Sequence, residues 1–402
     1  MAAIKFMLSE FPWDSRYRVP NLERVLTPAL AVYPEIIGSN IDCTLALLGG
    51  NPERWRVHIK TAKLGYTLRK LIERGVRNFK CATTLELATA GRAGAADVLL
   101  AYPVLGANAR RVQEISIEYP KLRISVLAEN EAQVAQWRSS RIGVFLDINP
   151  GMNRTGVEIS ELDLILTLIG QIRGAGLEFR GLHYYDGQYG GLEEPQRTKT
   201  AHAGYDKLIE LVQAIEGHGA SVPELITAGT PTFPASLSYA AFDALELHRI
   251  SPGTIIYCDA TSLAQLPASY GYKPAALVLT RVVSHPHQGI VTCDAGHKTV
   301  SADAGVPTCV VLGHSGLSPL SPSEEHLPIQ VLSGPTPAVG EVLHLLPRHI
   351  CPTVNNFDSA LLVREGRLEG VERVSARGRE GPLLDELDSE SERDRVATVD
   401  RV

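Results

Sequence analysis

The sequence predicts an α/β protein in which a (β/α)8 TIM barrel is followed by an antiparallel β domain. Three observations lead there. Between residues 56 and 251, eight short apolar or β-branched runs alternate with longer helical patterns. After residue 260 helical periodicity fades, and the apolar runs are separated by Gly, Pro and Asp turns, the rhythm of an antiparallel sheet. The chain has 402 residues, 44% apolar and 21% charged, enough for a large core in two domains. That composition excludes disordered, collagenous and disulfide-scaffold classes.

The elements follow in order. Residues 1–26 are an N-terminal segment without the apolar core of a signal peptide, and no run in the chain approaches the ~18 apolar residues of a membrane span, so a cytoplasmic protein is expected. The barrel is assigned to residues 27–260. Its strands are WRVHIK, RNFKCA, DVLLAY, RISVLA, IGVFLDI, EFRGLHYY, ELITAG and ALELHRI. Helical patterns lie between them, the longest over 197–219, and several end in glycine (Gly75, Gly176, Gly219), where a left-handed cap closes the last turn. An open doubly wound sheet is the alternative that pattern alone allows. Residues 261–375 form the β domain. Residues 376–402, dense in charges of both signs and free of aromatics, read as a mobile tail. Six scattered cysteines without a CxxC pair suit reduced thiols, and a net charge of -6 argues against nucleic-acid and anionic membrane partners.

Chemistry in such a barrel sits where strands end at its C-terminal mouth. In RVHIKT, strand alternation puts His58 and Lys60 on the face opposite Val57 and Ile59, so Lys60 closes the first strand at the mouth. A lysine there can shed water and form a Schiff base; the alternative is a solvated strand-end lysine. The loop LDINPGMNRTGV can bring Arg154 over an anion, or leave it on the surface. In GLHYYDGQYGG, His183 and Tyr185 can stack on or hydrogen-bond to a planar ring, beside Tyr184 and Asp186. Gly229 with Thr230, and Gly253 with Thr254, combine freed backbone N–H groups with hydroxyls at the last two strands, a suitable cup for phosphate. In the β domain, His349 and Cys351 are two residues apart and point the same way from an extended backbone. Imidazole and thiolate suit zinc, and two protein ligands leave open positions, although HxC alone also fits a chance pairing.

These pieces occur in one order over about residues 27 to 370: TPALAV, RVHIKT, the GMNRTG loop, YDG, SPGTIIYCD, CDAGHKTVSAD, SEEH and PRHICPTVN. Together they resemble the D-threonine aldolase and D-serine dehydratase group, which belongs with alanine racemase among fold-type III pyridoxal phosphate enzymes. The resemblance implies pyridoxal 5'-phosphate joined to Lys60, with its phosphate at Gly229, Thr230, Gly253 and Thr254. Arg154 and Tyr185 are then cofactor neighbours, and His183 and Tyr185 join Lys60 as catalytic candidates. Ser251 stands where alanine racemase has an arginine that meets the pyridine nitrogen, with Arg249 two residues back as the other candidate. The resemblance also implies a divalent metal on His349 and Cys351, zinc first and manganese or magnesium as alternatives. It implies a small D-amino acid substrate and a homodimer with shared active sites. Asp186 departs from the family, many of whose members have histidine there. The expected activity is a lyase on D-3-hydroxy amino acids. The HxC pair favours dehydration to a keto acid and ammonia, with retro-aldol cleavage to glycine and an aldehyde as the alternative. A racemase, or a barrel that binds the cofactor without catalysis, follows behind.

Overall fold

The structure is a computed structural model that describes residues 13, 15–19 and 22–384. Strand β1 (Ala29–Val32) comes first, followed by helix α1 (Pro34–Leu47), which begins on a proline already set for a helical turn. The barrel then unrolls as expected. Its strands are β2 (Arg56–His58), β3 (Asn78–Cys81), β4 (Asp97–Leu100), β5 (Arg123–Ala128), β6 (Gly143–Asn149), β8 (Phe179–Tyr184), β9 (Leu225–Thr227) and β10 (His248–Ile250). All neighbours are parallel, and the two-residue β7 (Val157–Glu158) pairs beside β6. A bridge between Trp55 and Ile250 brings the last strand back to the first. Helices α2 (Gly65–Glu73), α3 (Thr84–Ala93), α4 (Ala107–Glu118), α5 (Glu131–Ala135), α6 (Leu162–Gly174), α7 (Gln196–Gly217), α8 (Phe233–Leu237) and α9 (Ala260–Gln265) alternate with these strands.

The barrel interior is layered by side-chain chemistry, because every second residue of each strand points inward. At the bottom, Arg56, Asp97, Arg180, Glu224 and Arg249 form a buried ionic network, with Arg56 gripping Glu224 at 2.7 Å and 2.9 Å and Asp97 at 2.7 Å. Above it an apolar plug of Leu99, Leu127, Phe145 and Ile226 fills the middle. The inward residues above the plug are polar and open onto the mouth. Ions at the base and a dry middle leave the third layer as the place for chemistry.

The second sheet holds β11 (Ala276–His287), β12 (Ile290–Cys293), β13 (Cys309–Val311), β14 (Leu317–Pro319), β15 (Leu327–Val331), β16 (Val342–Pro347), β17 (Ser359–Arg364) and β18 (Arg367–Arg373). Its pairs are antiparallel except that of β1 with β17. The sequence assignment of residues 27–260 to the barrel needs correction here: β1 is inserted between β11 and β17, where its apolar side chains find a sheet, and does not join the barrel. The short helix α10 (Ile350–Val354) links β16 to β17. The start of the expected mobile tail is corrected too, since the chain is still anchored at residue 376. Ala376 is buried; its N–H donates to the Lys63 carbonyl at 2.9 Å and its carbonyl accepts from the Lys63 ammonium at 3.1 Å. Residues 385–402 of that tail lie outside the described residues. The six cysteines are free thiols, and no helix among the described residues is long and apolar enough to cross a membrane.

Candidate active site

Two adjoining cavities open at the barrel mouth and share His58, Lys60 and Tyr185. The first, of about 430 Å³, is lined by Lys80, Glu129, Arg154, Thr155 and His183 as well. The second, of about 250 Å³, adds Gly229, Thr230, Ser251, Gly253, Thr254, His349 and Cys351. Of the residues singled out from the sequence, Lys60, Arg154, His183, Tyr185, Gly229, Thr230, Ser251, Gly253, Thr254, His349 and Cys351 line one cavity or the other, and Lys60 stands where they meet.

In the first cavity the Tyr185 ring gathers three cations: the Arg154 guanidinium carbon at 4.9 Å from its centroid, the Lys80 ammonium at 5.4 Å and the Lys60 ammonium at 5.9 Å. Below the ring runs a chain of hydrogen bonds. Thr155 donates to Asp147 at 2.7 Å, and the other Asp147 oxygen holds His183 Nδ1 at 2.7 Å. His183 Nε2 lies 3.3 Å from the Lys80 ammonium, which also donates to Ser251 Oγ. Ser251 in turn donates to the Ala228 carbonyl at 2.7 Å. Burial, then Lys80, lowers the pKa of His183, opposed by Asp147. Burial and the nearby Lys60 and Lys80 hold His58 well below the ordinary histidine range. Lys80 itself is brought down to about 7 by burial and by Lys60, with Asp147 opposing. The cavity thus disfavours charge on both imidazoles and sets beside them a lysine brought down to about 7.

The second cavity combines a cup with a donor pair. The Gly253 backbone passes so close to β2 that a Cβ there would stand 2.1 Å from the His58 carbonyl oxygen. The N–H groups of Thr230 and Gly253 take no partner among the described residues. That suits a phosphate, whose oxygens accept from freed backbone N–H groups. Across the cavity, Cys351 Sγ lies 3.0 Å from Thr61 Oγ1 and 3.5 Å from Thr254 Oγ1. His349 binds Asp303 through Nδ1 at 2.6 Å, and its side chain also hydrogen-bonds that of Cys351, which turns the imidazole and the thiol towards each other. Asp259 caps α9 at the Ser262 N–H, and its second oxygen accepts from the Ile350 N–H at 2.9 Å, fixing the turn between His349 and Cys351. Burial pushes the Cys351 thiol up, but His349 and Lys60 outweigh it and draw the pKa below its ordinary value, towards the thiolate a metal takes. Among the described residues no group of three or more His, Cys, Asp or Glu is placed to hold a metal, so this pair would offer two protein donors.

Two sequence candidates go elsewhere. Arg249 lies at the opposite end of the barrel, bonded to Glu224 and to the Glu53 carbonyl at 2.6 Å, and does not reach the mouth. Asp186 turns away from the cavities and is fully buried, accepting from Tyr205 at 2.6 Å and from Thr232. Sequence reasoning missed His58, Lys80 and Asp303 as site residues. Alternation along RNFKCA would have found Lys80, and CDAGHKTVSAD already contains Asp303.

Comparison with known proteins follows the same division of the chain. A family model described as "Alanine racemase, N-terminal domain" matches residues 35–261, and one described as "Putative serine dehydratase domain" matches residues 275–363. A D-threonine aldolase from Arthrobacter sp. is 28% identical over 375 residues, covering 89% of this chain and 94% of the relative. A 3-hydroxy-D-aspartate aldolase from Paracoccus denitrificans (strain Pd 1222) is 28% identical over 254 residues, covering 61% of this chain and 63% of the relative. Among solved structures, D-threonine aldolase from Filomicrobium marinum is similar with a TM-score of 0.80 at 25% identity, covering 88% of this chain and 96% of that one. D-threo-3-hydroxyaspartate dehydratase from Delftia sp. HT23 has the same fold, with a TM-score of 0.74 at 20% identity, covering 88% and 98%.

Proposed function

This chain belongs to the alanine racemase-like family of fold-type III pyridoxal phosphate enzymes, and we propose that it is a metal-dependent lyase that cleaves D-3-hydroxy amino acids. The observation that carries the reading is the place of Lys60. It stands between a phosphate-ready cup with a histidine–cysteine pair on one side and a cluster of buried bases on the other.

The residues present fit the cofactor: uncommitted N–H groups in the cup, threonine hydroxyls beside them and a lysine amine at its edge. Thr230, Gly253 and Thr254 would take the phosphate, and Lys60 would hold the cofactor covalently. Bound there, pyridoxal phosphate supplies an electron sink for a bond broken at the substrate's α-carbon. His349 Nε2 and Cys351 Sγ would hold the divalent ion, zinc by the softness of the donors, with manganese or magnesium as alternatives; such an ion supplies Lewis acidity for a β-hydroxyl. As a free amine, Lys60 would be able to give or take a proton at the substrate's α-carbon. Arg154, beside the Tyr185 ring, would pair with the substrate carboxylate.

Two reactions suit this set. Burial lowers the pKa of both His58 and His183, which disfavours a charge on either imidazole. Retro-aldol cleavage to glycine and an aldehyde is the first reading, supported by the aldolases that match this chain by sequence. Dehydration to a keto acid and ammonia, ranked first from sequence alone, is the second reading. Its support is the thiolate donor of Cys351 and the match to a serine dehydratase domain.

The test is borohydride reduction of the cofactor-loaded protein with peptide mapping, followed by product analysis on D-threonine with and without chelator. A pyridoxyl label on Lys60, with glycine and acetaldehyde formed and lost on chelation, is the expected result. 2-Oxobutanoate and ammonia instead would select dehydration. An unlabelled Lys60 would end the cofactor reading altogether.

A further inference from the structure

The floor of the first cavity carries a cation that the chemistry above leaves unused. Lys80 points inward from β3 and is 2% exposed, yet it lines the cavity beside the Tyr185 ring. The direction of each hydrogen bond around it is set by its neighbours. His183 gives its Nδ1 proton to Asp147, so Nε2 is left to accept from Lys80. Ser251 gives its only proton to the Ala228 carbonyl, so its oxygen is left to accept from Lys80. Lys80, brought down to about 7, carries three N–H groups in its protonated form. Two are then committed to His183 and Ser251, and the third has the Tyr185 ring nearby but no hydrogen-bond acceptor among the described residues. A buried ammonium with a spare donor at a cavity wall calls for an acceptor.

The two groups that the sequence offers for the cofactor's ring nitrogen cannot donate to it. Arg249 is bonded to Glu224 and Glu53 at the far end of the barrel. Ser251 has spent its proton on Ala228. We infer that Lys80 is the donor that meets the heteroaromatic nitrogen of bound pyridoxal phosphate, held in place by Ser251 and His183. The contact is thereby supplied from the second barrel strand, through the serine that ends the eighth. This inference rests on the cofactor reading above. The charged and titratable groups facing Lys80 are His58 from β2 and Lys60 just beyond it, Asp147 from β6, Arg154 from the loop after it, His183 from β8, and Tyr185 and Asp186 just past β8, with Arg56 below.

The test uses the full chain loaded with pyridoxal phosphate carrying nitrogen-15 in its ring. In the unsubstituted protein the ring-nitrogen resonance should lie away from that of an unbonded pyridine nitrogen. It should return to the unbonded position in Lys80→Met and stay displaced in Lys80→Arg. Cofactor affinity, read by fluorescence titration, should fall about tenfold in Lys80→Met, the worth of one charge-assisted hydrogen bond. A resonance that is unbonded in the unsubstituted protein overturns the inference even if Lys80→Met fails to fold. So does a folded Lys80→Met with unchanged resonance and affinity. Borohydride labelling of Lys60 keeps the two readings apart: a labelled Lys60 with an unbonded nitrogen sinks the role of Lys80 alone, and an unlabelled Lys60 sinks both.

Discussion

Replacing Gly253 by alanine adds one methyl group at the point where the cup meets the strand that carries Lys60. The backbone there has φ −132°, open to any residue, so the substitution carries no conformational strain and its cost is steric. The new Cβ would stand 2.1 Å from the His58 carbonyl oxygen and 3.0 Å from its carbonyl carbon. Carbon and oxygen settle at about 3.3 Å or more, so the two segments must part by about 1 Å. Overpacking of this kind costs about 1–3 kcal/mol. His58 precedes Lys60 by two residues, so the displacement falls on the reacting amine, where a shift of about 1 Å costs on the order of a hundredfold in rate. The variant should fold and melt a few degrees lower, bind pyridoxal phosphate more weakly, and lose about a hundredfold in turnover. Circular dichroism melts, fluorescence titration of the cofactor and aldehyde release from D-threonine measure the three effects. A variant that melts lower yet keeps wild-type affinity and turnover would refute the link between cup and lysine. An unchanged melt would refute the close approach itself.

The remaining expectations concern buried carboxylates. Asp186→Asn weakens acceptors for Tyr205 and Thr232 and should cost about 1–3 kcal/mol in chemical denaturation while leaving substrate preference unchanged; a switch in preference would return Asp186 to the active site. Burial pushes the Asp97 carboxyl up, but Arg56 and Arg180 outweigh it and bring it to about 2, so its contribution to stability is present above pH ~4 and lost as pH falls through ~2. The shift is worth about 2 kcal/mol, read as a falling denaturation midpoint across that window; the same slope in Asp97→Asn would contradict the assignment.

The barrel was legible because parallel strands covered on both faces leave unbroken apolar runs such as DVLLAY and RISVLA, and because glycines at 75, 176 and 219 do take left-handed φ where helices end. Strand β18 was not, since RLEGVER is a polar, largely exposed edge strand with no apolar periodicity. Alternation along a strand tells which way a side chain points but not its height in the barrel. Arg249 and Ser251 share a face of the same strand end, yet one lies in the ionic base and the other at the mouth. Pairing register sets that height, and register depends on seven other strands. The place of Asp186 was hidden for a related reason: it sits just past a strand end, and its carboxylate is held by Thr232 and Tyr205, both distant in sequence.

The insertion of β1 into the second sheet bears on how the chain matures. Ala29 pairs with Leu279, so the strand leaves the ribosome about 250 residues ahead of its antiparallel neighbour, and further still ahead of β17. At about 5–20 residues per second it waits for tens of seconds as an unpaired apolar edge while the barrel is synthesised. The barrel can close early, since its own neighbours are successive in sequence, but the β domain cannot complete until the two ends of the chain meet. A barrel fragment cut near residue 260 would keep this strand with nothing to cover it, and a β-domain fragment begun after that point would lack the strand that bridges β11 and β17. Neither half is a free-standing module, and each inherits a sticky surface from the other.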